Sequence, residues 1–186
     1  MDKIKKRKLV VGRDGNCCIF CKTSLHFSEI TLDHIIPQKY NGPDCVLNLT
    51  VACAKCNSNR HHTDFFEYYR KYNPSIQNIN KFKLLYILSC LRLISKKYIK
   101  IYGSKVWFLT YAKNYSDFFS DEIKKFEKFG ELQFLLRKAS SEKYLRYIPR
   151  IQNMLNINFE TLLQNSSEQI YKTLDLKLTN MVQNEI

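Results

Sequence analysis

A chain of 186 residues with 45% hydrophobic and 13% aromatic content can bury a core, which excludes a disordered polypeptide. Thirty Lys and Arg against seventeen Asp and Glu leave a formal charge of +13, which favours a polyanionic partner, although a lysine-rich solvated surface accounts for it as readily. Seven cysteines with no signal-peptide pattern behind the basic first residues point to metal ligation in a reducing compartment, and no apolar run reaches the roughly 18 residues of a membrane helix, so the chain reads as soluble and cytoplasmic.

Residues 1–8, with Lys3, Lys5, Lys6, Arg7 and Lys8, read as a frayed basic arm or the start of a short helix. Arg13-Asp14-Gly15-Asn16 is a turn cluster leading into Cys18-Ile-Phe-Cys21, a Cys-x-x-Cys knuckle. The spacing selects Cys18 over its neighbour Cys17, which reads as a packed thiol. Residues 29–32 suit a strand, Asn41-Gly42-Pro43-Asp44 a loop, and residues 46–51 an extended segment in which Asn48 is the polar exception. A second knuckle, Cys53-Ala-Lys-Cys56, is followed directly by Asn57.

From Ala54 a helix is expected to run to about Tyr72, because Phe65, Phe66, Tyr68, Tyr69 and Tyr72 recur at helical spacing and Pro74 lies beyond; these aromatics read as core. That helix puts Asn57, Arg60 and His61 on one face, leaving His62 exposed. After Pro74 the apolar residues keep helical spacing, and Ser166-x-x-Gln169 has the form of a capping box opening the last helix, while residues 106–119 fit no single pattern. The division is therefore residues 1–75, a small metal-stabilised domain, and residues 76–186, a mostly helical region carrying eighteen basic and ten acidic residues. That region would grip flanking DNA or complete the core of a roughly 70-residue domain that is marginal alone.

Two close thiolate pairs suit a tetrahedral zinc, each pair biting one edge, so Cys18, Cys21, Cys53 and Cys56 are the expected ligands. His26, near the first knuckle, is not needed. A site filled by four cysteines has no open position, so this zinc holds the fold and the chemistry lies elsewhere. Between the knuckles stands Asp33-His34, and after them Asn57. Phosphodiester hydrolysis needs a base for water and a cation for the charge on the phosphate and leaving oxygen. A neutral imidazole suits the first task, and the hard oxygens of Asp33 and Asn57 suit an ion such as Mg²⁺ or Mn²⁺, with His61 in reserve. Neighbouring side chains on a regular strand point to opposite faces, so the Asp33-His34 pair is expected at a strand end or bulge, as Pro37 also suggests.

Over roughly residues 8–72 the chain resembles the HNH endonucleases, also called ββα-metal or His-Me finger nucleases. The resemblance rests on Arg13-Asp14-Gly15, Asp33-His34-x-x-Pro37, Asn48-Leu49 and Cys56-Asn57-x-x-Arg60. It implies an α+β fold, a small zinc-stabilised ββα-metal module ahead of the helical region. It also implies His34 as general base, Asp33 and Asn57 as ligands of a catalytic divalent ion, and Asn48 as a brace for the loop carrying the base. Arg60 stands where the family frequently has Lys and keeps a phosphate-binding charge; with Lys39 and Lys55 it is a candidate nucleic-acid contact. The substrate implied is DNA, with RNA not excluded by any residue. Two knuckles alone would favour a non-catalytic zinc-knuckle nucleic-acid-binding module, but such a module has no need of Asp33, His34 and Asn57.

Overall fold

The computed structural model describes residues 2–73, 79–111, 120–139 and 144–183. Pro74 and residues 112–119 of the undetermined stretch lie outside the described residues. The architecture is mixed, a two-stranded sheet among helices. Two compact units form: residues 1–89 with 139–144, and residues 90–138 with 145–186. The boundary between these units falls inside the helix Ile79–Tyr111.

The amino-terminal unit begins with a full helix, α1 (Lys3–Asp14), where a frayed arm or short helix was expected. Asp2 caps it by accepting from the Lys5 amide at 2.8 Å, and Gly15, at φ 81°, ends it in a conformation that favours glycine. Asp14 and Arg13 form a buried ion pair at 2.5 Å. Burial would raise the Asp14 carboxyl, but Arg13 and Lys81, the latter 2.9 Å away, hold it below the usual range. Arg13 also donates to the carbonyls of Val46 and Leu49, at 2.8 and 2.5 Å, so α1 is fastened to the chain on either side of Asn48.

Strands β1 (Thr31–His34) and β2 (Leu49–Ala52) are antiparallel, with Thr31 opposite Ala52 and His34 opposite Leu49. The Asp33-His34 pair therefore stands at a strand end, as its chemistry demanded. The single helix expected from Ala54 to Tyr72 is two: α2 (Ala54–Arg60) and α3 (Phe65–Tyr72). His61 breaks the first at φ 49°, and Asp64 opens the second by accepting from the Phe66 and Glu67 amides at 2.9 and 3.0 Å. Four of the aromatics are core as expected, Phe65, Phe66, Tyr68 and Tyr69, while Tyr72 is exposed. Phe65 lies 5.7 Å from Phe20 and 5.5 Å from Phe82 between ring centroids, so α3 covers the first knuckle's Phe20 and the start of α4 (Ile79–Tyr111) with one aromatic cluster.

The second unit contains the rest of α4 with α5 (Ser120–Ala139), α6 (Ile148–Leu155), α7 (Phe159–Leu163) and α8 (Ser167–Gln183). Leu91, Ile94, Phe129, Leu132, Leu136, Ile151, Phe159, Ile170, Leu174 and Leu178 are buried there, which is the helical-spacing stripe of the sequence. The capping box is present, Ser166 and Gln169 exchanging hydrogen bonds of 3.0 and 3.3 Å. Among the described residues no helix is long and apolar enough to cross a membrane.

Candidate active site and metal centre

The two knuckles meet. The Sγ atoms of Cys18, Cys21, Cys53 and Cys56 all lie within 4.8 Å of one another, and Cys21 to Cys53 is 3.9 Å. A tetrahedral zinc with Zn–S bonds of about 2.3 Å places its sulfurs about 3.8 Å apart, so the cluster fits that ion. Cys53 caps α2 and accepts from the Cys56 amide at 3.4 Å; hydrogen bonding from Thr23 lowers the Cys21 thiol to about 6, while burial pushes the Cys18 and Cys56 thiols up. The first knuckle is secured to the sheet by the Ile19 amide on the Val51 carbonyl, 3.1 Å, and to α3 by the Asn73 amide on the Phe20 carbonyl, 3.2 Å. His26 and Cys17 are exposed, and neither belongs to the cluster.

Thr31 and Asp33 share one face of β1, and Asn57 and Arg60, three residues apart, share one face of α2. These faces meet in register. The Asn57 amide nitrogen donates to Thr31 Oγ1 at 3.2 Å, and Arg60 donates to Asp33 Oδ1 at 2.6 Å. With its nitrogen engaged, Asn57 keeps its carbonyl oxygen as the remaining ligand atom. Asp33 is 5% exposed and its second oxygen, Oδ2, is buried with no hydrogen-bond partner. Burial pushes its carboxyl up to about 6 against the pull of Arg60, which leaves it ionised at neutral pH beside its counter-ion. The Asp33 carboxylate oxygen left without a partner and the Asn57 side-chain carbonyl are oxygen donors of the hard type a divalent cation takes.

His34, of opposite parity on the strand, turns away from α2 toward the loop. Its Nε2 is buried without a hydrogen-bond partner, 3.8 Å from Asp44 Oδ1, too far for a direct bond. Burial lowers the imidazole's pKa more than Asp44 restores it, so the ring is neutral at pH 7. Asp44 in turn pairs with Lys6 of α1 at 2.5 Å.

The backbone beyond His34 is held by Asn48, fully buried, whose carbonyl oxygen accepts from the Ile36 amide at 2.8 Å while its nitrogen donates to the Ile36 and Pro43 carbonyls at 2.9 and 3.0 Å. Gly42 completes the loop, since a Cβ there would collide with the Ile36 carbonyl.

Lys39 and Lys55 are exposed, as a phosphate contact requires. Arg60 is not: it is 1% exposed and its guanidinium faces inward. The expected shared face of Asn57, Arg60 and His61 likewise fails at His61, which has left the helix, is exposed and lies with its ring 3.9 Å from that of His62. Sequence reasoning had no role for Thr31, which holds Asn57, or for Asp44, which was visible only as a loop residue.

Residues 18–66 match the HNH endonuclease family, the segment running from the first knuckle through both strands and α2 into α3. This matched segment also carries the cysteine cluster suited to a metal such as zinc, and the match supports a function of the nuclease type, on nucleic acid. No curated protein and no solved structure matches the chain.

Proposed function

We propose that the amino-terminal unit is a divalent-cation-dependent endonuclease that hydrolyses phosphodiester bonds in DNA. The observation that carries this reading is that two consecutive residues at a strand end, Asp33 and His34, each keep a buried side-chain atom with no partner. Buried polar atoms are rarely left unsatisfied; Asp33 Oδ2, on the face that meets α2, suits a cation, and His34 Nε2, on the loop side of the same strand end, suits a water or substrate atom. His34, neutral at pH 7, takes the proton of the attacking water. Asp33 Oδ2 and the Asn57 carbonyl would hold Mg²⁺ or Mn²⁺, which when bound supplies positive charge to the phosphate and the leaving 3′-oxygen. Asn48 keeps the loop after His34 in place. Lys39 and Lys55, on an exposed surface of a chain of charge +13, bind backbone phosphates. Cys18, Cys21, Cys53 and Cys56 would hold a zinc ion that ties β2 and α2 to the first knuckle, and thiolate ligands suit a reducing compartment such as the cytoplasm.

The test is nicking of supercoiled plasmid by zinc-loaded wild type, Asp33→Asn and Asn57→Ala, with Mg²⁺, with Mn²⁺ and with EDTA. Divalent-dependent nicking by wild type that both variants lose is the expected result. DNA binding without cleavage by the wild type would instead indicate a zinc-knuckle binding module, and cleavage confined to an RNA of the same sequence would correct the substrate.

A further inference from the structure

We infer that Arg60 is a positioning residue of this site, fixing which oxygen of Asp33 is presented and where the chain turns at His34, and that it makes no phosphate contact. The inference rests on the nuclease reading above and assigns a task within it.

One guanidinium grips three consecutive residues. Its Nη1 donates to Asp33 Oδ1 at 2.6 Å and to the His34 carbonyl at 2.7 Å, and its Nη2 donates to the Ile35 carbonyl at 3.3 Å. The guanidinium carbon lies 5.3 Å from the centre of the Phe65 ring, and Nε is buried with no hydrogen-bond partner. Arg60 is thus clamped between the strand end and the aromatic cluster of α3. To reach a phosphate it would have to abandon a carboxylate that is itself 5% exposed, leaving an unpaired buried charge. Binding energy from one phosphate at the surface does not repay that.

The same geometry says what Arg60 does. A carboxylate with two free oxygens can rotate and offer either; with Oδ1 tied to Nη1, only Oδ2 is left, and it is the oxygen without a partner. The bond to the His34 carbonyl fixes the backbone carrying the imidazole, so one side chain orients both the candidate ligand and the candidate base. Partners of this kind orient carboxylate ligands in metal sites generally, and their loss typically weakens metal affinity or activity by about 10–100-fold. A fork is required: lysine presents a point charge and cannot span Asp33, His34 and Ile35 at once.

The test uses the full-length, zinc-loaded protein with Arg60→Lys, which keeps the charge, and Asp33→Asn beside it. Mn²⁺ binding is read by electron paramagnetic resonance without nucleic acid, DNA affinity is read against salt concentration in Ca²⁺, and zinc content is read on the same samples. Arg60→Lys is expected to bind Mn²⁺ roughly 10–100-fold more weakly, with zinc content, DNA affinity and its salt slope unchanged. Arg60→Gln, which removes the charge, is read beside it: a salt slope reduced by about one in that variant, with Mn²⁺ binding intact, would make Arg60 a phosphate contact and overturn the inference. If Asp33→Asn loses Mn²⁺ while Arg60→Lys keeps it, the inference fails and the nuclease reading stands; if Asp33→Asn binds Mn²⁺ and nicks as wild type does, the nuclease reading itself fails. Should Arg60→Lys not fold, Arg60→Gln is compared with Asp33→Asn/Arg60→Gln, which leaves no lone buried charge. Zinc content and melting recovered in the double variant support the pairing, and a double variant no better than the single one overturns it.

Discussion

The two units bury different kinds of residue. Among the described residues of the helical unit the buried set is apolar but for Ser95, whose hydroxyl is satisfied within its own helix by the Leu91 carbonyl. The amino-terminal unit buries Asp33, Asn48, Thr50 and Arg60 about its sheet, with Ser89 on its long helix, and seals the Arg13–Asp14 pair beneath α1. An apolar core needs only volume and pattern to be stable, whereas every buried polar group must find a partner or be left at a cost. A unit that buries polar and charged residues around one strand end is organised for the positions of particular atoms; it leaves Asp33 Oδ2, His34 Nε2 and Arg60 Nε buried without a partner, against Asp175 Oδ1 among the described residues of the helical unit.

That contrast can be broken or sharpened by mutation. Cys53→Ser has the largest expected effect: loss of zinc removes about 10 kcal/mol or more of metal-coupled folding energy from the amino-terminal unit, read as loss of bound zinc by atomic absorption and of its share of the melting transition. A soluble, zinc-free and fully active Cys53→Ser protein would contradict the zinc assignment. Leu174→Ala, at a fully buried position of α8, is expected to cost about 2–5 kcal/mol, lowering the helical unit's melting while nicking well below that temperature stays at wild-type rate. Loss of nicking without unfolding would give the helical unit a part in the site. Asn48→Ala is expected to cost about 1–3 kcal/mol, from the Ile36 amide left unmatched, and to lower nicking roughly 100-fold in the folded protein as the loop beyond His34 shifts. An equal stability loss with full activity would make Asn48 purely structural.

How far these features could be read beforehand depended on the range of the interaction that fixes each. The knuckles and the Ser166–Gln169 box are set by spacings of two or three residues, and they stand where the spacing put them. Side-chain parity, with Pro37 three residues on, put Asp33-His34 at a strand end or a bulge, and a strand end is where it stands. The break at His61 was hidden because the aromatic stripe of α3 continues the period of α2 closely enough to read as one helix, although Asp64 ahead of Phe65 was the cap that signalled a new start. The full length of α1 was hidden because its end is fixed by Arg13 reaching Val46 and Leu49, more than thirty residues on. The burial of Arg60 was hidden for the same reason: a charged residue one helical turn after Asn57 looks like surface until β1 is laid against α2 and Asp33 faces it.

The central claim is that the imidazole of His34 does chemistry and the cysteine cluster does not. Plasmid nicking and zinc content measured on the same preparations of wild type and His34→Ala test it most directly. The account predicts a nicking rate lowered by about 10²–10⁴-fold in His34→Ala, with full zinc content and unchanged DNA binding. Nicking by His34→Ala at the wild-type rate, with zinc content full, would contradict it.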